Sequence, residues 1–497
     1  MIYFIFHTGI RSGAFLNTIL CLSNYTDLIV GRFSYLELVM KNLPCLQNGK
    51  ILYTGQPLNS SREVLNFLSE ENPEVQHSPF NDIIVYYDLR YFPSDPQKLN
   101  NILCKALYAD TTITFYQSIA ESEQQFFQIF VSSLKHLRMY ATSPSSFITD
   151  HADSVSVDLT HIVVDLENSM SLLELFANNF SARHFNTICS DGNYFSKTST
   201  QREKMENEYQ FLLHVPSDLK PFFPHVGKFF GQKDRWGYQI EKIFMIDAGK
   251  CLINGVFSKK FRLQSFLDRI YDYLNLCPQK SVASSEFKQK MKSMFVDKLK
   301  ERLHQTQALD IVEKLDQVCR LSGYNSFSDL SNAIINDVEC YITRTNETEL
   351  VFSHGDLFFS NMLYDVNTTQ LKLVDPRGIS RDMNEAFLPP WYDLAKLSHS
   401  FMGLYDLIVY DLVTLRINEN IGIDVIHDIP DEWIQLIKTS FCRFVERLGY
   451  DLHLIRLFES TLFVSMVPLH CECEKHMVAQ TLQAVHSFET YKNRHLG

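Results

Sequence analysis

Residues 351–378 read VFSHGDLFFSNMLYDVNTTQLKLVDPRG, and the rest of the chain is best read outward from them. His354-Gly355-Asp356 stands ahead of Asn361, five residues on from Asp356, and Asp375 follows fourteen residues later. Two short β runs, LYDV and LKLVD, flank the polar turn NTTQ, which predicts a hairpin whose far end delivers Asp375. A loop delivers Asp356 and Asn361, so two carboxylates and a carboxamide meet at one mouth. Phosphoryl transfer needs such a set. One carboxylate accepts or orients the proton of the attacking hydroxyl, while an Asn and a second Asp hold magnesium against the phosphates. Mg2+ takes oxygen ligands and keeps several waters, so about two protein oxygens suffice.

The pattern HGDxxxxN followed by Asp resembles the aminoglycoside phosphotransferase and choline kinase family, relatives of the protein kinases. The loop reads HGD rather than HRD, and DPRG stands where DFG would be. The resemblance implies that Asp356 is the catalytic base, that Asn361 and Asp375 are metal ligands, and that ATP and Mg2+ are the cofactors. PPWYDLAKLSHSFMGLYD (389–406) is similar to the segment that follows the metal Asp in this family. There Asp393, together with His354, would support the loop structurally.

A kinase-like small lobe also needs a strand Lys on the α- and β-phosphates and a helix Glu to hold it. FNTICSDGNYFSK (185–197) reads as two β runs about Asp191-Gly192-Asn193, a hairpin signal. Lys197 closes the second run, and Glu208 follows eleven residues later in a helical stretch. Glu206 competes with Glu208 but lies about 200° round the helix from it at ~100° per residue, so only one faces the cleft. Tyr209, Leu212 and Leu213 put the buried face beside Glu208. Gly192 would sit in the loop over the phosphates, Ser190–Tyr194. The strand YQIEKIF (238–244) would lead to a hinge whose backbone near Glu241 and Ile243 contacts adenine.

The chain has 497 residues, 46 Lys+Arg and 58 Asp+Glu, a formal charge of −12. That length predicts several domains, and the acidity excludes a general nucleic-acid binder. No apolar run approaches the roughly 18–20 residues of a membrane span. The apolar start MIYFIFHTGIRSGAFL reads as a buried strand rather than a signal peptide. Eleven scattered Cys fit reduced thiols in a cytoplasmic protein.

We expect an α/β domain over 1–174, a small β-rich lobe over 175–260 and a large helical lobe over 261–497, the last two forming an α+β bilobal kinase-like domain. In the first, KILYTG (50–55), NDIIVYYDL (81–89) and HIVVDL (161–166) read as strands, with parallel pairing. Segments 60–70, 98–109, 120–138 and 169–179 read as helices. This region resembles a divergent sugar- or choline-phosphate nucleotidyltransferase, which makes Asp88 and Asp165 metal candidates. FSARHFNTI (180–188), LKPFFP (219–224) and MVPLH are similar to bacterial phosphotransferases of capsule or lipopolysaccharide biosynthesis.

Beyond Leu263 the chain reads as helix except for the 350–375 island. His470, Cys471, Cys473 and His476 lie in what reads as one continuous helix over 458–490. Cys471 and Cys473 are then about 200° apart, which argues against a shared metal ion. The expected partner is a small-molecule hydroxyl acceptor. Choline would call for an aromatic cage, for which Trp391, Tyr392 and Tyr405 are candidates. An aminoglycoside would call for an acidic pocket. A pseudokinase scaffold and a protein Ser/Thr kinase are the alternatives.

Overall fold

The computed structural model describes residues 1–10, 16, 20–30, 33–58, 60–73, 82–108, 111–120, 123–141, 155–167, 187–191, 194–232, 234–380, 382–417 and 423–493. They fall into two units, Met1–Phe180 and Ser181–Gly497.

The first unit is organised by the apolar run Ile2–His7, a strand with neighbours on both sides. It pairs in parallel with Lys50–Thr54 and with Ile83–Asp88. A strand buried on both faces reads as a continuous apolar run rather than an alternation, as this one does. The sheet continues through Glu123–Ser133, Ile113–Ala120 and Val155–Asp158. Glu123–Ser133 runs antiparallel to both of its neighbours, so the sheet is mixed and not all-parallel as expected.

The same strand overturns the helix expected over 120–138. Its aromatic and β-branched end fits a pleated surface, and Ile129, Phe130 and Val131 are all buried. The helix starts only at Leu134, where the Ser133 hydroxyl accepts from the His136 amide. Helices Ser61–Glu71 and Pro96–Ala106 lie close to the expected positions. They begin on Ser60 and Asp95, whose side chains accept from Glu63 and Lys98 amides. Val64, Leu68 and Leu134 join Tyr3, Ile5 and Ile84 in the core on one face of the sheet. Val163–Asp165 pairs with Tyr91–Pro93 in a separate ribbon. The helix expected over 169–179 lies outside the described residues.

The second unit begins with a four-stranded antiparallel sheet. Its order is Thr187–Asp191, Tyr194–Ser199, Arg235–Glu241, Val226–Gln232. Helix Arg202–Leu213 packs on it through Tyr209, whose ring centroid lies 5.4 Å from Phe229 and 6.0 Å from Tyr238. Leu213, expected on the buried face, is 44 % exposed. It is the last helical residue, past the turn that touches the sheet.

The helical body that follows includes Lys260–Leu276, Phe327–Arg344, Trp391–Phe401, Asp431–Leu448, Leu452–Met466 and Glu474–Lys492. Within it, Met362–Tyr364 pairs with Leu371–Leu373 and, on its other edge, with Ile246–Asp247. A second β pair, Val413–Ile417 with Ile423–His427, stands where helix was expected. The alternation of apolar and polar residues in VTLRI suits a two-residue period.

Leu452–His470 is long and apolar enough by composition to cross a membrane, contrary to the expectation that no run is. It carries Arg456 and Glu459, fully buried and paired at 2.5 Å, and 72 % of it is buried inside the helical body. The continuous helix expected over 458–490 is broken. It ends at Met466, passes through a 3-10 turn Val467–His470 and restarts at Glu474. Pro468 has no N–H to continue the ladder.

Candidate active site

The 354–361 loop is held from beneath by Asp393, near the start of helix Trp391–Phe401. The amides of His354 and Gly355 donate to its two oxygens at 2.8 and 2.9 Å. Burial pushes the Asp393 carboxyl up to about 7 against the pull of those two amides. His354 is wholly buried. Its Nε2 lies 3.0 Å from the Val374 carbonyl and its Nδ1 accepts from the Asp356 amide at 3.3 Å. Those partners require the neutral Nε2–H tautomer, and burial lowers the imidazole to about 4. Gly355 makes the bend, with φ +76°. Further along, the Ser360 hydroxyl donates to Asp406 at 2.9 Å.

Asp356 projects from this loop with its side chain 33 % exposed. The Asn361 amide nitrogen donates to its carbonyl at 2.9 Å and to Oδ2 at 3.2 Å. The other carboxylate oxygen, Oδ1, is 2.8 Å from Lys396 Nζ. Lys396 is buried, and it lies three residues after Asp393 and four after Tyr392 in one helix, hence on their face. Burial opposes its charge most strongly, but Asp356, Tyr392 and Tyr405 together raise the ammonium's pKa. Sequence reasoning missed this lysine, although the spacing Asp393-x-x-Lys396 was there to be read.

Lys197 lies within the strand Tyr194–Ser199 rather than at its end. Its Nζ is 2.6 Å from Glu208 Oε2 and 2.7 Å from Asp375 Oδ1, a partner 178 residues away. Tyr238, on the neighbouring strand, donates to the same Glu208 oxygen at 3.0 Å. Glu208 is buried while the rival Glu206 has a side chain 30 % exposed and reaches Arg202. Burial disfavours the Lys197 charge, but Asp375, Tyr238 and Glu208 hold it well above the usual range. Asp375 itself stands at φ +56°, a conformation an Asp tolerates better than most residues.

Asp375 remains 44 % exposed on its side chain, and the Asn361 amide nitrogen is committed to Asp356, which leaves the Asp375 carboxylate and the Asn361 amide oxygen as the donors for a cation. These hard oxygen donors fit Mg2+, which needs few protein ligands. Among the described residues no group of three or more His, Cys, Asp or Glu could hold a metal ion, and that includes the 470–476 segment.

The remaining expected positions are less central. The Glu241 amide is used by the His225 carbonyl at 2.9 Å, and Ile243 lies just past the strand end. Gly192 lies outside the described residues. In the first unit, Asp165 is taken by Arg90 in a two-pronged pair, and Asp88 is 3.1 Å from His7. Both carboxylates thus have basic partners. Of the candidate cage aromatics, Trp391 donates to Glu347 at 2.9 Å, and all three are buried.

No family model and no curated protein sequence matches the chain. Among solved structures it is similar to the apo form of a thermostable mutant of aminoglycoside phosphotransferase APH(4)-Ia, at 10 % identity and TM-score 0.38, over 65 % of this chain and 98 % of that one. It is also similar to an aminoglycoside-3'-phosphotransferase of type VIII, at 13 % identity and TM-score 0.33, over 62 % and 90 % of the two chains. A choline kinase from Cryptosporidium parvum Iowa II matches at 11 % identity and TM-score 0.27, over 66 % and 96 %.

Proposed function

We propose that residues 181–497 form an ATP-dependent phosphotransferase of kinase-like fold that moves the γ-phosphate to a hydroxyl of a small molecule. The supporting observation is Lys197, which pairs at once with Glu208 on the helix and with Asp375 beyond the hairpin. One cation thereby ties the small sheet to the segment bearing the second carboxylate, as a nucleotide clamp requires. Asn361 and Asp375 would hold Mg2+, which supplies positive charge to the phosphates.

In this reading Lys197 leaves Asp375 for the nucleotide phosphates when they arrive, and Glu208 and Tyr238 keep it aimed. Asp356 accepts the proton of the acceptor hydroxyl as that oxygen attacks. Asn361 and Lys396 fix the Asp356 carboxylate toward the acceptor, which is the positioning such transfers depend on. The 470-region and 180–188 resemblances extend the proposal to bacterial cell-surface polysaccharide biosynthesis in the cytoplasm.

The test is ADP formation from Mg·ATP with a panel of sugars, polyols, choline, amino alcohols and aminoglycosides, together with an autophosphorylation arm. Asp356→Asn is expected to lower turnover by about 10²–10⁴ while leaving the thermal unfolding midpoint in place. Undiminished turnover in that variant would remove Asp356 from the chemistry. Label appearing on the protein rather than on an acceptor would favour a protein kinase.

A further inference from the structure

We propose that the acceptor carries an anionic group, a carboxylate or a phosphate, received beside Asp356 by Arg377, Lys298 and Lys396; this rests on the phosphotransferase reading above. Arg377 is placed by the catalytic loop itself. Its amide donates to the His354 carbonyl at 3.0 Å. Its stem lies so close over Gly355 that a Cβ there would meet Arg377 Cβ at 2.6 Å. Its guanidinium carbon then stands 5.7 Å from the centre of the Tyr392 ring. Lys298 reaches the same ring from another helix, donating to the phenol oxygen at 3.0 Å. Lys396 follows Tyr392 by one helical turn and holds Asp356.

Charge is uncompensated here. Among the described residues neither Arg377 nor Lys298 has a carboxylate partner, and the polar contact of Arg377 is Met294 Sδ at 3.0 Å, a weak acceptor. Arg377 is exposed to solvent. Arg377 and Lys298 both approach the Tyr392 ring, Lys396 holds Asp356 one turn further along the same helix, and both oxygens of Asp393 are occupied behind the loop. The phenol of Tyr392 responds to that field. Burial would raise it, but Lys298, Lys396 and Arg377 together bring it down to about 8.

A quaternary ammonium or an aminoglycoside would meet repulsion at this wall. The face of Tyr392 that could cage a cation already faces the Arg377 guanidinium. A carboxylate or phosphate suits the planar fork of Arg377, which binds such groups with two parallel hydrogen bonds.

The test begins by saturating the full chain with Mg·AMP-PNP, so that the nucleotide site is filled. Inorganic phosphate, acetate and choline are then titrated by calorimetry. Saturable binding of phosphate or acetate is expected, with none for choline. Arg377→Ala and Lys298→Met should each weaken it about tenfold, with partial recovery in Arg377→Lys. In turnover assays, phosphorylated or carboxylated sugars and polyols should exceed their neutral and cationic counterparts. Arg377→Ala should raise KM for the acceptor about tenfold and leave KM for ATP within twofold.

The proposal is overturned if neither anion binds with the nucleotide site filled. It is equally overturned if the variants bind anions as the native chain does, if choline or an aminoglycoside is the preferred acceptor, or if Arg377→Ala weakens AMP-PNP instead. Failure of AMP-PNP to bind at all sinks the phosphotransferase reading separately. Phosphate titrated into the free chain and its two variants then decides the anion site alone, loss in the variants supporting it and equal binding overturning it.

Discussion

His354 spends its two ring nitrogens on opposite tasks, donating to Val374 and accepting from Asp356. Protonating Nδ1 would replace that acceptor with a donor facing an N–H. The folded imidazole therefore stays neutral down to about pH 4, whereas an unfolded one takes a proton near 6.5. The unfolded state then binds more protons throughout that window. Stability contributed by His354 is complete above about pH 6.5 and is lost as pH falls toward 4, about 3 kcal/mol in all. Urea unfolding of the native chain and His354→Gln at pH 7 and pH 4.5 should show the native chain losing more by most of that amount. Equal losses would refute the assignment.

Lys396 gives a second expectation at this scale. Lys396→Met keeps the volume but frees Asp356, which is a third exposed and can take water in exchange. Turnover should fall by about 10- to 100-fold with KM for ATP little changed, and Lys396→Arg should recover part of it. The HGD triplet and Asn361 were legible because a short loop fixes their spacing. Lys396 shares a helix face with Asp393, which its spacing shows, but the Asp356 it meets lies on a separate loop, and the Tyr392 ring that Arg377 meets lies in a later helix, so neither contact was legible.

At the scale of elements, the join between helix Arg202–Leu213 and the segment after Asp375 sets the geometry of the proposed nucleotide clamp. The Ile379 amide donates to the Asn207 carbonyl at 3.0 Å, and Gly378, at φ +82°, lies directly under the helix. A Cβ on Gly378 would stand 2.7 Å from the Asn207 carbonyl carbon and 2.8 Å from the Glu208 nitrogen, both backbone and unable to swing aside. Gly378→Ala should therefore push the helix outward and part Glu208 from Lys197. We expect Mg·ATP to bind roughly tenfold more weakly and the unfolding free energy to drop by about 1–3 kcal/mol. Nucleotide titration and urea unfolding check both. The hairpin and helix carrying Lys197 and Glu208 were readable from turn chemistry and periodicity. The strand over Glu123–Ser133 was misread as helix, since its pairing with Ile83–Asp88 lies well upstream in sequence.

At the scale of the whole molecule, the division into Met1–Phe180 and Ser181–Gly497 gives each unit its own sheet and buried core. The Lys197, Asp356, Asn361 and Asp375 set belongs entirely to the second. A fragment comprising 181–497 is expected to fold cooperatively and to bind Mg·AMP-PNP within about threefold of the full chain, by calorimetry. A fragment that binds tenfold more weakly would show that the first unit contributes to the site.

The sequence by itself determined the local matters: the loop that spaces Asp356 from Asn361, the hairpin that carries Asp375, the strand bearing Lys197 and the helix bearing Glu208. Backbone preference and short-range periodicity act over a few residues, and both are written in order along the chain. Only the tertiary structure decided the antiparallel joins of the first sheet, the capture of Asp375 by Lys197 and of Asp356 by Lys396, and the gathering of Lys298 and Arg377 about Tyr392. These depend on which buried charges must find partners and which surfaces exclude water, and such demands are met by residues far apart in sequence.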